Sequence, residues 1–408
     1  MHLVVVGASL AGLKTVEAAH RKGIAKRITL VGAEPHVPYN RPPLSKEFLA
    51  SDQGIDSLAF QPEAHFDSLG VELKLGNPAE KLDLARREIT VGGEQIGFDA
   101  LVIATGTRTR ALPSSLPGHD LGNVFYLRSI DDAAGLRASL NSAQRVVVIG
   151  GGFIGAEVAC AAKKKGAAVT VVEAAPVPLV RAVGEDMGAY CAGLHGQNGV
   201  ELHTSAAVVA LKGTDSVEAV VLADGRELAA DVVVVGIGAV PNIEWLADSG
   251  LDVSNGVLAD EFLNVGHEGV YAVGDVVRWP NPLFPGTMRL ESWTSVVEQA
   301  ERAIGHLADP SNQLACAVVP YFWSDQYGAR IQCLGVPTAE PPVVAHGSQD
   351  TGRFLALYRR GDTFSGVFAF NSPHLIMKFR PLIQRGASWE EALSFCASLP
   401  DSAPVVAV

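Results

Sequence analysis

Twice in this chain a glycine-rich turn opens a helical segment directly behind a short β-branched strand, and few architectures accommodate that pattern. The first copy is Gly7-Ala8-Ser9-Leu10-Ala11-Gly12, behind the apolar run 3–6. The second is Gly150-Gly151-Gly152-Phe153-Ile154-Gly155, behind the run 146–149. An alanine-rich stretch follows each, 14–22 and 156–165, and reads as a helix. Such a turn lets the backbone approach a pyrophosphate, and the helix N-terminus supplies free N–H groups and a partial positive charge. An acid ends the next strand of both units, Glu34 after 28–31 and Glu173 after 168–172, where a carboxylate accepts hydrogen bonds from ribose hydroxyls. Ser9 stands at the second glycine of the first copy and is small enough for the turn. Two complete units imply two dinucleotides held at once, and hence electron transfer between cofactors.

The rest of the composition narrows the class. A chain of 408 residues is long enough for two or three domains with their own cores. The apolar run 232–240 contains two glycines and is far shorter than the roughly 20 residues a bilayer span needs. A strand beginning at His2 leaves no room for a signal peptide, so a soluble, cytoplasmic protein is expected. The net charge of −12 argues against nucleic acid as a partner. Cys160, Cys191, Cys316, Cys333 and Cys396 are scattered singly, with no C-x-x-C or C-x4-C pair. That spacing offers neither a sequence-local redox disulfide nor a thiolate cage, and no metal site is expected. Each reads as a small buried hydrophobe.

The expected architecture is α/β, with two Rossmann-like dinucleotide-binding domains and an α+β C-terminal domain. The boundaries read from the sequence are 1–113 together with 242–319, then 114–241, then 320–408. In the first domain the strand 100–104 ends at Thr105-Gly106, a turn of the kind where ligands of open α/β sheets collect. Its echo in the second is the strand 231–235 followed by Gly236-Ile237-Gly238. A strand at 270–273 precedes Gly274-Asp275, and 291–307 reads as a helix that rejoins the first domain. Beyond 320 the pattern turns to strands at 331–334, 353–358 and 364–370 and helices at 374–384 and 389–396. Between Arg353 and Arg385 lie six basic residues and the single acid Asp362, a candidate docking face for an acidic partner.

Several motifs together resemble one family. They are Tyr39-Asn40-Arg41-Pro42-Pro43-Leu44-Ser45-Lys46, the second fingerprint with Glu157, Gly274-Asp275, Arg289-Leu290-Glu291-Ser292-Trp293, and Tyr321-Phe322-Trp323-Ser324-Asp325-Gln326-Tyr327. The whole chain is similar to the NADH-dependent, FAD-containing ferredoxin reductases of bacterial oxygenase and cytochrome P450 systems, the putidaredoxin reductase type of the pyridine nucleotide-disulfide oxidoreductase fold. It departs from that pattern at Val265, where the family often has threonine. The resemblance implies that the first fingerprint (Gly7, Ser9, Ala11, Gly12) binds FAD, with Glu34 on its ribose and Asp275 on its ribityl chain. Arg41, Ala79, Thr105, Gly106 and Arg128 match further flavin contacts, and Trp293 and Trp323 would lie beside the isoalloxazine. Gly150, Gly152, Phe153, Ile154, Gly155, Glu173 and Gly238 would serve NADH. Lys46 and Glu157 are the pair assigned to the chemistry. The lysine steadies charge on the reduced flavin and Glu157, on the first turn of its helix, holds the lysine by an ion pair.

Glu173 disfavours a 2′-phosphate by repulsion, and 174–178 contain no arginine to clamp one, which favours NADH over NADPH. Arg181 is the nearest cation that could fold back. Without a cysteine pair, electrons must leave straight from the flavin, and a small [2Fe–2S] ferredoxin feeding a mono- or dioxygenase is the expected acceptor. Rubredoxin, a quinone or oxygen are alternative acceptors, as is a flavin-binding signalling role resembling apoptosis-inducing factor. The short C-terminal stretch 397–408 does not resemble a membrane-binding tail, and the sequence specifies no oligomeric state.

Overall fold

The computed structural model describes residues 1–311 and 314–400 of the chain. They form two compact units. One comprises Met1–Asn40, Ile55–Arg108 and Val240–Pro320; the other comprises Arg41–Gly54, Thr109–Ala239 and the chain from Tyr321 onward.

The first unit is built on a five-stranded, all-parallel sheet. Its strand order is Val270–Ala272, Ala100–Ile103, His2–Val6, Arg27–Val31 and Val71–Lys74. Leu3, Val4, Val5 and all four residues of Ala100–Ile103 are fully buried. Strands covered on both faces read as unbroken apolar runs rather than alternating ones, which is why they were legible. The helix Leu10–Lys22 ends on Gly23 in the left-handed region (φ 62°), whose N–H closes on the Ala19 and His20 carbonyls. It packs against the helix Ser295–Ala308, which buries Val296, Ala300, Ala303 and Ile304 on one face.

The second unit repeats the plan. Its parallel sheet runs Glu201–His203, Ala168–Val172, Arg145–Ile149, Val232–Val235 and Val124–Tyr126. In both sheets a three-stranded antiparallel meander, 79–97 or 208–229, lies between the third strand and the return to the centre. In the same unit, the residues past 320 form a five-stranded antiparallel sheet in the order Tyr321–Gln326, Ala329–Gly335, Thr363–Phe370, Arg353–Arg360 and Val343–Ser348. Phe354, Phe368 and Phe370 from it bury against Val183, Met187 and Cys191 of the helix Val180–Gln197. This is the expected α/β architecture with an α+β tail. No helix among the described residues is long and apolar enough to cross a membrane.

Local expectations needed correction in several places. The fingerprint helices start at Leu10 and Phe153, directly after the extended N-caps Ser9 and Gly152, so the last three residues of each fingerprint already lie in the helix. Residues 291–294 are not helical, and the helix begins at Ser295. The meanders and the strands Tyr321–Gln326 and Val343–Ser348 were not anticipated, since their burial is mixed and their alternation weak. The helix expected over 374–384 is three short pieces, Pro373–Ile376, Met377–Phe379 and Arg380–Gln384, with Pro381 starting the last. Arg353 and Arg360 sit at opposite ends of one eight-residue strand. Arg359 pairs with Glu340 at 3.0 Å, and Arg385 pairs with Glu391 at 2.8 Å.

Each fingerprint joins its strand to its helix by backbone contact that leaves no room for a side chain. Gly155 would place a Cβ 2.1 Å from the Gly150 carbonyl oxygen, whereas Gly166, with φ 91°, has open space around it. Gly166→Ala is therefore expected to cost about 1–2 kcal/mol of left-handed strain. Gly155→Ala must displace the fingerprint turn itself and is expected to lower the melting temperature by a larger amount; equal shifts in a thermal melt would refute this packing.

Candidate functional site

The first fingerprint begins where the central strand ends. Gly7 (φ 121°) donates its N–H to the Val31 carbonyl at 2.7 Å, and Ala104 donates to the Val6 carbonyl at the same distance. A Cβ on Gly7 would sit 2.1 Å from the Ala104 oxygen, so the chain turns sharply at glycine and exits into the helix. Ser9 is the N-cap, in extended conformation, and its side chain makes no capping bond; the first turn, which holds Ala11 and Gly12, contains no acid. That leaves the backbone N–H groups and the positive end of the helix for an anionic group.

Glu34 accepts a hydrogen bond from the buried Tyr39 hydroxyl at 2.5 Å, which orients its carboxylate. Tyr39 belongs to the 39–46 motif, and its contact with Glu34 is disclosed only by the fold. Asp275 sits in the turn Gly274–Val276. Its Oδ2 accepts from Thr107 Oγ1 at 3.2 Å, and its carbonyl accepts from Arg289 at 2.9 Å. Thr105 and Gly106 are tied to Asn242, whose N–H groups donate to both their carbonyls at 2.9 and 3.0 Å. Gly274 donates to Gln299 Oε1 at 2.7 Å, and the Gln299 Nε2 is buried with no hydrogen-bond partner. A buried unpaired donor beside Gly274, together with a helix start that has no side-chain cap, fits a dinucleotide. Ala79 opens the meander at 79–97, and Trp293, in the non-helical approach to Ser295, is 40% exposed.

The second fingerprint repeats these contacts. Gly150 (φ 109°) donates to the Val172 carbonyl at 2.7 Å, and Gly236 donates to the Ile149 carbonyl at 2.7 Å. The N-cap is Gly152, again with no side-chain cap and no acid in the first turn, and a Cβ there would meet nothing closer than 4.0 Å. Gly238 (φ 106°) is likewise open. Phe153 packs on Phe322, ring centroids 4.5 Å apart, while its neighbour Ile154 is 44% exposed. Glu173 follows its strand as expected and accepts from Gly151 N at 2.6 Å and Ala175 N at 2.8 Å. A carboxylate has about four acceptor positions, so ribose hydroxyls still have room there, and the two N–H bonds fix its orientation. Arg181 is exposed in the helix Val180–Gln197.

The same unit holds a buried polar cluster around Glu157. Pro42 and Pro43 open a short 3-10 turn, Pro42–Ser45, followed by the helix Glu47–Ala50. Arg41 fastens one end of this segment by donating to the Arg128 carbonyl at 2.7 Å. Arg137 fastens the other, donating to Gln53 O at 2.7 Å with its guanidinium 4.1 Å over the Phe48 ring. Lys46 Nζ then lies 2.6 Å from Glu157 Oε1, with side chains 13% and 2% exposed. Glu157 is on the second turn of its helix, not the first, because that helix begins at Phe153. Ser45 Oγ donates to Glu157 Oε2 at 2.5 Å and Ser324 Oγ to Oε1 at 2.6 Å. Neither serine was singled out from sequence; each was visible only as part of a motif. Trp323 points to the other face of the strand from Ser324 and stacks with Tyr321 at 5.9 Å.

All five cysteines are buried and unpaired, and burial pushes their thiols up, Cys160 to about 11 and Cys191 to about 12. No group of three or more potential metal ligands occurs among the described residues.

Residues 1–305 match the family model described as pyridine nucleotide-disulphide oxidoreductase, and residues 321–395 match the one described as reductase C-terminal. Rhodocoxin reductase of Rhodococcus erythropolis is 40% identical, with 94% of this chain and 89% of that protein aligned. The ferredoxin--NAD(+) reductase component of the anthranilate 1,2-dioxygenase system of Burkholderia cepacia is 36% identical, with 94% of each covered. Among solved structures, the ferredoxin reductase for the CYP199A2 system from Rhodopseudomonas palustris superposes with a TM-score of 0.90 at 31% identity, covering 97% of this chain and all of that one. By sequence and by fold, the chain belongs to the pyridine nucleotide-disulphide oxidoreductase family and carries its reductase C-terminal domain.

Proposed function

We propose that this protein is an FAD-dependent NADH:ferredoxin oxidoreductase that passes electrons to a [2Fe–2S] ferredoxin serving an oxygenase, in the cytoplasm. The observation that carries it is the doubled fingerprint, two helix starts without side-chain caps and each with an oriented acid, in a chain whose relatives include ferredoxin--NAD(+) reductase components of dioxygenase systems alongside rhodocoxin and rubredoxin reductases. Residues 1–113 and 242–319 are assigned to FAD, 114–241 to NADH and 320–408 to the C-terminal domain. The chemistry supplied by a bound FAD is the conversion of a two-electron donor into single electrons.

The chain's own residues bind and orient. For FAD, the N–H groups around Ser9, Ala11 and Gly12 meet the pyrophosphate. Glu34 takes the ribose, and Asp275, with Thr105, Gly106 and Ala79, the ribityl and neighbouring atoms. Arg41, Arg128, Trp293 and Trp323 are assigned to the flavin by the family pattern. For NADH, Gly150, Gly152, Phe153, Ile154 and Gly155 meet the pyrophosphate, with Gly238 beside them and Glu173 on the ribose. The family pattern assigns Lys46 to the reduced flavin, where a positive charge would stabilise the electron-rich ring, and Glu157 keeps the lysine in place. With its thiols buried and protonated, the protein has no local dithiol relay, which favours a one-electron carrier over disulfide or persulfide reduction.

Purified yellow protein should reduce cytochrome c rapidly with NADH only when a small [2Fe–2S] ferredoxin is added. Equal, slow rates with and without it would sink the ferredoxin reading and move rubredoxin, quinone or oxygen to the front. Glu173→Ala combined with Ala174→Arg should shift the ratio of kcat/KM for NADPH over NADH upward by roughly tenfold, about 1.4 kcal/mol. An unchanged ratio in steady-state kinetics would displace the ribose from Glu173. Asp275→Ala should purify with a reduced flavin-to-protein absorbance ratio, and full yellow colour would remove it from the flavin site.

A further inference from the structure

Asp275 is gripped by its backbone as well as by its carboxylate. Its turn, Gly274–Val276, follows the strand Val270–Ala272 and packs on the first fingerprint helix. A Cβ on Gly274 (φ 80°) would come within 3.0 Å of the Ala11 Cβ. Thr107 Oγ1 donates to the Asp275 carboxylate at 3.2 Å, and Arg289 Nη1 donates to its carbonyl at 2.9 Å. The N–H on the other side of the residue, that of Gly274, goes to a side chain, Gln299 Oε1, at 2.7 Å. Gln299 is 1% exposed and belongs to the buried face of the helix Ser295–Ala308.

The Gln299 amide can meet Gly274 in one orientation only. Turned over, it would set its NH2 group against the Gly274 N–H, donor against donor. The oxygen is thus committed to the turn, and Nε2 is buried with no hydrogen-bond partner. Arg289 is in the same condition. Its Nη atoms serve the Asp275 carbonyl and Glu291, both at 2.9 Å, and its Nε is buried without a partner. A leucine or methionine would occupy the Gln299 volume with no stranded donor. Two polar side chains that each strand a donor while bonding the backbone of one residue point to a requirement for that residue's position.

We propose that Gln299 and Arg289 are positioning residues that clamp the backbone on either side of Asp275 and so aim its carboxylate at the flavin's ribityl chain. This rests on the assignment of Asp275 to FAD. The clamp is needed because Gly274, in the left-handed region, has no side chain to restrict its rotation. Without the Gln299 oxygen the Gly274 N–H is left unpaired, and the carboxylate two bonds along the chain loses its fixed direction.

The test measures release of FAD from holoenzyme loaded with excess FAD and then diluted, followed by the rise in flavin fluorescence. Gln299→Leu is made in three backgrounds: the parent, Asp275→Ala, and Glu34→Ala, whose missing acid is oriented by Tyr39. In the parent it should speed release roughly tenfold, the effect of leaving one buried N–H unpaired. In the Glu34→Ala background the same factor should appear again. In the Asp275→Ala background it should largely vanish, because there is no carboxylate left to aim. An unchanged release rate in Gln299→Leu would overturn the proposal. So would an equal factor in all three backgrounds, which is what general loosening of the site produces. Should Gln299→Leu fail to fold, Arg289→Leu acts on the carbonyl side and is carried through the same three backgrounds. Arg289→Lys, which keeps a donor for that carbonyl, should recover part of the loss, and no recovery would remove Arg289 from the clamp. A parent protein that purifies colourless and takes up no added FAD would defeat the functional reading itself, whereas a yellow parent with unaltered variants defeats the clamp alone.

Discussion

Everything in the parallel sheets hangs on one steric constraint, the approach of two backbones where the central strand stops. Gly7 lies against the Ala104 carbonyl and Gly150 against the Gly236 carbonyl, so closely that a single methyl would occupy carbonyl space. That approach lets the strand hand its last hydrogen bonds to both neighbours, Val31 and Ala104 in one sheet, Val172 and Gly236 in the other. It also throws the chain into a helix whose first N–H groups have no side-chain cap. The anion-binding character of the site is thus a by-product of how tightly three strands converge, and it requires no charged side chain at the turn.

The buried ion pair works by a different logic. A lysine and a glutamate 2.6 Å apart are a weak stabilising device when withdrawn from water, because desolvation offsets their attraction. What makes the pair tenable is the crowd of donors around the carboxylate and the anchoring of the lysine's own segment by Arg41 and Arg137. The segment is held at both ends by guanidinium-to-carbonyl bonds and in the middle by Glu157. Such an arrangement confers a defined position more than it confers stability.

How much of this was legible in the sequence follows from the range of each interaction. The fingerprints, their strands and the acids Glu34 and Glu173 were readable because strand, turn and helix are contiguous and the buried strands are unbroken apolar runs. The antiparallel meanders were not, because strands of three to six residues with partly exposed faces carry little periodic signal. Lys46 and Glu157 were paired through a family resemblance. The two serines that complete their site are separated from Glu157 by 112 and 167 residues, and only the fold discloses that they meet it. The positive charge counted along 353–385 is offset in space by acids the count leaves out, because Glu340 pairs with Arg359 and Glu391 with Arg385.

The burial of every cysteine has a bearing on how such a protein ages. An electron carrier working beside oxygen meets peroxide, and peroxide attacks thiolates before almost anything else in a protein. Here the five thiols are held protonated by burial, with Cys160 and Cys396 near 11 and Cys191, Cys316 and Cys333 near 12. Sulfur chemistry at the surface is left to thioethers such as Met377, which is 43% exposed. Oxidation of a methionine is a slower and enzymatically reversible lesion, so oxidative wear falls first on a repairable group and not on the core.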